Sequence, residues 1–362
     1  MSTADARTAE NRREPGIRDR VLILPSVICS HEVTEEIADR VPGAVATPHD
    51  HGCAQIGRDN DRTARTLVAM GDHPNVAGCV VVGLGCEHVQ SDALAGRIAD
   101  RGVPVRELSI QSVGGTDACL EEGVAAAEEL RADHAVENGG PDLGDLTVGV
   151  VSTDLAEPTV GRAEPLVGEF VDRVRSAGGR VVVAGTERVR AHPDAARERF
   201  VGDREAIEEL LSDRGEPARA PRVAREAGEY APAEVGRLWG EGRIEEVVAY
   251  GDRPAPDSGL ALVDSASRFE EAATGVVAAG AHIVVHVTGD GIPTGHPLAP
   301  VLKVSATRAT LEAVGADIDV DARETDAAGL ARRVRETAAG EPCRAERHGV
   351  TSFAIERAGP SL

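Results

Sequence analysis

Lysine is almost missing from these 362 residues: of 39 basic residues only Lys303 is a lysine, and the others are arginines. Aromatic residues make up 2% of the chain. Basic residues are outnumbered by 61 acidic ones, which sets the formal charge at −22. Few large apolar side chains, arginine in place of lysine and a diffuse surplus of carboxylates predict a cytoplasm rich in salt. There, dense carboxylates stay hydrated and their repulsion is screened within roughly 3 Å at 1 M salt. An ordinary acidic enzyme from a GC-rich genome is the competing reading. No run of Lys and Arg with interleaved aromatics occurs, so nucleic acid is not an expected partner. No stretch reaches the roughly 18 apolar residues of a membrane helix, so no membrane span is expected. The opening "MSTADARTAENRREPGIRD" has no apolar core of a secretory signal, and the expected location is the cytoplasm. Six cysteines, at 29, 53, 79, 86, 119 and 343, form no CxxC pair, which argues against a zinc ribbon and for free thiols. Neither a GxGxxG nor a Walker signature is present, so a nucleotide is not implied.

What is present is an alternation of short apolar runs with helical patterns. "RVLILPSVI" reads as a buried strand, and "HEVTEEIADRV" as a helix with Ser30 as its N-cap. "DRTARTLVAM" is a second helix, stopped by Gly71. "VAGCVVVGLGC" is a continuous apolar strand of the kind buried on both faces of a parallel sheet. "SDALAGRIADRG", "VPVRELSIQ" and "GTDACLEEGVAAAEELRADH" continue as helix, strand and helix. A polar linker, "ENGGPDLGD", follows, and the rhythm restarts with "LTVGVVST". The expected fold is α/β, with two doubly wound, mostly parallel sheet domains. The expected boundaries are a polar tail over 1–19, a first α/β domain over 20–140 and a second over 141–330. The second carries a charged helical insertion at about 191–248, and 331–362 forms a C-terminal helix and tail.

Polar, glycine-rich motifs fall at the carboxyl ends of four predicted strands, where such sheets bind ligands: "CSH", "GCEHVQ", "QSVGGT" and "TGDGIPTGHP". In "PHDHGC", His49, Asp50, His51 and Cys53 offer donors to a divalent metal or a route for protons. The same residues also suit a polar turn that caps the following helix, and composition leaves the two readings level. In "GLGCEHVQ", Glu87 is a candidate base or ligand, or a helix-start carboxylate that satisfies free N–H groups. "QSVGGT" resembles a backbone nest for a phosphate or carboxylate. Lys303 stands out because arginine cannot usefully give up its proton and a desolvated lysine can, which suits a base or a point charge for a substrate carboxylate.

From about residue 18 to 325 the chain resembles the large catalytic part of the altronate/galactarate dehydratase family, which also includes the large subunit of sulfolactate sulfo-lyase. The motifs that carry the resemblance are "CSHEV", "HDHGCA", "HPNVAGCVVVGLGCEHVQ", "LSIQSVGGT", "GVVAAGAHIVVHVTGDG", "PVLKVSA" and "DIDVDA". The resemblance implies a hydro-lyase that removes water from a sugar acid with the help of a divalent metal, Fe2+. A base takes the proton alpha to the carboxylate, the metal steadies the enediolate and an acid protonates the leaving hydroxyl. By position in the motifs, the resemblance implies His49, Glu87 and Lys303 as catalytic. It places Gln90, Gln111, Gly114, Gly115, Thr116 and Asp154 at the substrate, and Cys29, Cys53 and Cys86 at the metal; His51, which stands with Asp50 where the family more often has small residues, is added as a metal donor from its residue type alone. Two departures stand out. The family's Cys-Gly-Gly-Ser-Asp-like segment reads "VSTDLAEPTVG", keeping Asp154, and an expected asparagine is Thr307. Alternatives within the family are a sulfo-lyase subunit and a hydrolase of a diketo sugar acid. Outside catalysis, a binding or regulatory paralogue fits the altered segment. Single-chain relatives carry a small N-terminal domain for which little chain precedes the first strand here, so a separate small subunit is an expected partner. A homo-oligomer is the alternative to it.

Overall fold

The computed structural model describes residues 14–132, 140–212, 222–255 and 259–359. The chain divides into two compact units: residues 1–138 with 357–362, and residues 139–356.

Unit 1 is built on a four-stranded, wholly parallel sheet in the order β2-β1-β3-β4. The strands are β1 (Arg20–Pro25), β2 (Ala44–Ala46), β3 (Val76–Gly83) and β4 (Val105–Ser109). Between and after them run α1 (His31–Arg40), α2 (Arg58–Gly71), α3 (Ser91–Ala99), the single turn α4 (Ile110–Val113) and α5 (Thr116–Ala132). Helices α1 and α5 pack on one face, α2 and α3 on the other. Strand alternation explains this. Val21 and Ile23 of β1 join Ile37 of α1 and Leu130 of α5 in one core, while their neighbours Leu22 and Leu24 are also fully buried. A strand covered on both faces must be apolar at every position, and all eight residues of β3 are buried. Ser30 does not cap α1 as expected. Its hydroxyl donates to Val27 O and Val82 O instead, tying the turn after β1 to the end of β3. Strand β2 escaped sequence reading because three residues give no periodicity to detect.

Unit 2 holds a seven-stranded parallel sheet in the order β11-β10-β9-β5-β6-β8-β7. Its strands are β5 (Thr147–Ser152), β6 (Arg180–Val183), β7 (Glu246–Val248), β8 (Leu260–Val263), β9 (Ile283–Val287), β10 (Val301–Ser305) and β11 (Val320–Asp321). A π turn over Thr159–Ala163 leads into α6 (Glu164–Ser176). The charged stretch expected at about 191–248 folds as short helices around α7 (Thr186–Ala191), with α8 (Pro193–Arg199) and α9 (Arg204–Ser212) following. Part of that stretch, and part of the linker expected at 137–145, lie outside the described residues. Further on, α10 (Phe269–Ala278) precedes β9, and α11 (Ala327–Ala338) buries Leu330 and Val334 within this unit. Among the described residues no helix is long and apolar enough to cross a membrane.

Candidate functional site

In unit 1 the chain passes from β1 to β2 on one side and returns to β3 on the other. In open parallel sheets such a switch is where ligands bind, beyond the carboxyl ends of the strands, here β1 and β3. Ser26 and Glu87 meet there: Ser26 Oγ donates to Glu87 Oε1 at 2.9 Å. The Gly85 and Cys86 N–H groups donate to Glu87 Oε2 at 2.7 and 2.9 Å. Glycine is required at 83, where a Cβ would lie 2.2 Å from Glu87 Oε1 and 2.4 Å from Ser91 Oγ. Burial pushes the Glu87 carboxyl up, but backbone N–H groups and the Ser26 hydroxyl together outweigh it and hold its pKa below the usual value. Glu87 is therefore an anion with both oxygens engaged, better suited to fixing loops than to taking a proton.

His49 follows β2 and is buried. Its Nε2 lies 3.0 Å from Pro25 O, and its Nδ1 accepts the His51 N–H at 3.2 Å. Those partners assign the proton to Nε2. Burial draws the His49 pKa down to about 4, with His51 and His31 adding to the effect and Pro25 O and Asp50 opposing it. His49 is thus neutral at pH 7. The His51 ring lies 5.7 Å from it, and its Nδ1 faces Gln55 and Thr63. Asp50 pairs with Arg357 at 2.8 Å, and Asp59 accepts the Ala358 and Gly359 N–H groups, so the C-terminal segment is tied to this loop and to the first turn of α2.

Cys29, Cys53 and Cys86 are exposed free thiols on the loops after β1, β2 and β3. Among the described residues no three or more His, Cys, Asp or Glu side chains gather as a metal-binding group. Cys29, His51, Cys53 and Cys86 accordingly do not make a preformed ligand set, since His51 is buried while the three thiols face solvent. Gln90 is exposed ahead of α3, and its amide donates to Glu87 O. Gln111 Oε1 lies close against Gly85: a Cβ built there would sit 2.9 Å from it. Gly114 and Gly115 take φ of +100° and +119°, leading to Thr116 at the start of α5, and nothing crowds either glycine. The Gly114 and Gly115 N–H groups both donate to Ile110 O, so the turn does not present them as the open nest expected from sequence.

In unit 2 the switch lies between β5 and β9. Asp154, 1% exposed, sits there. It accepts from Gly289 N at 2.5 Å, Ala156 N at 2.9 Å and Thr159 Oγ1 at 2.7 Å. Lys303 lies in mid-strand on β10, fully buried, and its ammonium donates to Pro293 O at 2.6 Å. Burial lowers the Lys303 pKa, against the pull of Asp319, Cys343 and Asp317. In this conformation the lysine holds the glycine-rich loop after β9 rather than facing an open cleft. Lys303 and Asp154 belong to unit 2, and Cys53, Glu87 and Gln111 to unit 1.

Several site groups escaped sequence reading. Ser26 gave no signal, being one serine after a strand. His286 did give one, as a histidine flanked by valines inside the apolar run "IVVHV". Glu164 and Arg188 are a buried pair at 2.6 Å that also engages Ser152, and their partners lie too far apart in sequence to be matched by spacing. The open groove lined by Glu169, Asp172, Arg173 and Arg335 lies between α6 and α11 at the opposite end of unit 2, away from these strand ends.

Comparison with known proteins adds the family. The (2R)-sulfolactate sulfo-lyase subunit beta of Chromohalobacter salexigens is 27% identical over 324 residues, covering 84% of this chain and 82% of that one. The altronate dehydratase of Bacillus subtilis is 27% identical over 343 residues, covering 85% of this chain and 67% of its own. That of Escherichia coli is 26% identical over 324 residues, covering 82% of this chain and 64% of its own. This chain thus spans about two thirds of the altronate dehydratases it matches. Among solved structures, Escherichia coli ADP-heptose LPS heptosyltransferase II gives a TM-score of 0.23 at 12% identity over 88% of this chain and 98% of that one, too weak a likeness to carry any reading. Residues 9–135 match the description "D-galactarate dehydratase/Altronate hydrolase, second domain", and residues 237–361 match "D-galactarate/Altronate dehydratase, C-terminal". With both matches in order and together covering more than half of its length, the chain belongs to the D-galactarate dehydratase/altronate hydrolase family.

Proposed function

We propose that this protein is a carbon–oxygen lyase that removes water from a sugar acid. The observation that carries this reading is the family match in both halves of the chain, each half setting polar loops at the carboxyl ends of a parallel sheet. Glu87 in unit 1 and Asp154 in unit 2 are each buried, each held by backbone N–H groups, and each set among polar loops at the carboxyl ends of a parallel sheet. The family supplies the reaction class.

Elimination breaks the C–H bond alpha to the carboxylate and the C–O bond of the beta hydroxyl. Water leaves, and the enol so formed tautomerises to a 2-keto-3-deoxy acid. His49 has the protonation state a base needs, because burial keeps it neutral at pH 7. To act, its Nδ1 must release the His51 N–H, a shift that Gly52 in the same loop makes accessible. The Gly114 and Gly115 N–H groups are taken by Ile110 O, so it is the start of α5 at Thr116, a helix N-terminus, that can meet an anionic substrate in a chain of net charge −22. Lys303 supplies a point charge if its loop opens. A divalent cation is not assigned to named ligands, and each of these steps uses the chain's own groups. A location in a salt-rich cytoplasm agrees with the composition.

A second reading is favoured by the relative whose length this chain matches best, a sulfo-lyase subunit. In that reading the bond broken beta to the carboxylate is C–S. That relative is named as a subunit, which supports a separate partner subunit, and co-purification at high salt with mass spectrometry would reveal it. The two chemistries separate in an assay of the intact protein, anaerobic and supplied with ferrous iron, on altronate, galactarate and sulfolactate. Formation of a 2-keto-3-deoxy acid from either sugar acid supports the dehydratase. Sulfite release selects the sulfo-lyase. Tight binding without turnover selects a non-catalytic paralogue.

A further inference from the structure

We infer that Thr153 is a substrate-contacting hydroxyl of the unit 2 site and that His286 is the residue that aims it. The substrate class is that of the lyase reading, on which this inference rests.

Thr153 is the first residue beyond β5, beside Asp154 at the β5/β9 switch, and is half-buried. His286 lies on β9, fully buried, in register with Val151 of β5 on one side and Lys303 of β10 on the other. Its ring is stacked on Phe269 of α10 with centroids 4.2 Å apart, so it cannot swing. His286 Nε2 is 3.2 Å from Thr153 Oγ1, and Nδ1 has no hydrogen-bond partner.

This asymmetry sets the direction of the bond. Were the proton on Nδ1, a buried N–H would be orphaned, at a cost of about 1–3 kcal/mol. Burial and the Lys303 ammonium both disfavour positive charge on the ring, which keeps it neutral with a single N–H to place. With the proton on Nε2, the ring donates to Thr153 Oγ1, and only a bare Nδ1 lone pair is left without a partner instead of an orphaned N–H. The Thr153 oxygen is then already accepting, and its own hydrogen is left to donate. Its remaining acceptor within the protein, Val287 O, is at 3.5 Å, the limit of a hydrogen bond. A carboxylate or hydroxyl oxygen of a sugar acid in the crevice is a better acceptor. The Asp154 carboxylate takes three donors of its own, from Ala156 N, Thr159 Oγ1 and Gly289 N, and Thr153 Oγ1 is not among them.

Two measurements on the full chain test this. Long-range 1H–15N spectra of histidine-labelled protein report the His286 tautomer without any ligand. A neutral Nε2–H ring at pH 6, perturbed in Thr153→Val and retained in Thr153→Ser, is expected. A neutral Nδ1–H ring or an imidazolium at that pH overturns the assignment. Kinetics then read the hydroxyl on whichever of altronate, galactarate or sulfolactate the wild type turns over. Thr153→Val should lose about 10- to 100-fold in kcat/KM, as expected for removal of a donor to the reacting molecule. Thr153→Ser should stay within about threefold. His286→Gln, which can still donate from an amide, should fall between them. Equal kinetics for Thr153→Val and wild type overturn the inference while leaving the lyase reading intact. Failure of the wild type on all three compounds overturns the lyase reading and the substrate role of Thr153 with it, while the spectra still decide the Thr153–His286 pairing.

Discussion

Ser26 and Glu87 stand on loops that leave neighbouring strands, β1 and β3, and one 2.9 Å hydrogen bond joins them across the switch of the unit 1 sheet. Glu87 keeps a lowered pKa only while that bond and the two backbone N–H bonds persist. A carboxylate with a depressed folded pKa adds stability above its unfolded pKa, and that stability is lost as the pH falls through the folded value. Glu87→Gln, which cannot accept at both positions, should therefore destabilise unit 1 by about 1–3 kcal/mol at pH 7. The gap to wild type should narrow below the ordinary glutamate pKa of 4.5. Thermal melts of both proteins between pH 3 and pH 7 check it, and a gap independent of pH would show that the charge is irrelevant.

Gly83→Ala tests the same site from the backbone side. The added carbon would collide with Glu87 Oε1 and with Ser91, whose Cβ would lie 2.6 Å away. Glu87 is pinned and Ser91 begins α3, so neither yields without breaking bonds. A loss of about 1–3 kcal/mol is expected. A control at Gly96, where nothing lies within 4 Å, should not destabilise.

Buried histidines set the acid limit of stability. His49 is held at about 4, and His286 and His296 at about 3, each chiefly by burial. Unfolded, all three bind protons near pH 6.5. The unfolded chain therefore takes up more protons as the pH falls below 6.5, and the stability of the neutral rings, complete above that value, is lost toward pH 4 and below. Melting temperature should fall steeply over this window. His49→Asn should flatten the slope, and an unchanged slope would show that His49 is not buried neutral.

The Glu164–Arg188 pair is 0% and 2% exposed. It joins Ser152 at the end of β5 to Val235 O in the short helical stretch before β7. Arg188→Met alone leaves a buried charge unpaired and should cost about 3–5 kcal/mol. The double variant Arg188→Met/Glu164→Leu should recover most of that loss. Denaturant melts of the four proteins give the coupling directly.

Salt is a further variable. A net charge of −22 repels itself at low ionic strength. Raising KCl from 0.1 M to 2 M should raise the melting temperature by roughly 5 °C or more, as the Debye length drops from about 10 Å to under about 3 Å. A flat or falling response would favour an ordinary acidic enzyme.

The parallel sheets were legible because a strand covered on both faces must be apolar throughout, as "VAGCVVVG" is, and because glycines such as Gly102 and Gly71 mark helix ends. The site positions at strand ends were legible for the same reason: glycine-rich polar loops after apolar runs stand out. Partners were not. Nothing in the spacing of Ser26 and Glu87, or of Thr153 and His286, shows that they bond, because β-sheet order decides it and sheet order is not written locally. Lys303 was noticed for its rarity, yet rarity says nothing of burial or of Pro293. The family resemblance was legible in the motifs themselves, and the ligand set it implied for a metal was not found assembled among the described residues.

Elimination of water from a sugar acid is tested most directly by 1H NMR of the intact protein with galactarate and with altronate in D2O. The reaction proposed here removes the alpha hydrogen, expels the beta hydroxyl and lets the enol take a proton from solvent. A 2-keto-3-deoxy acid carrying one deuterium at C3 is the predicted product from at least one of the two compounds. Unchanged spectra of both after prolonged incubation, with and without ferrous iron, would contradict the account.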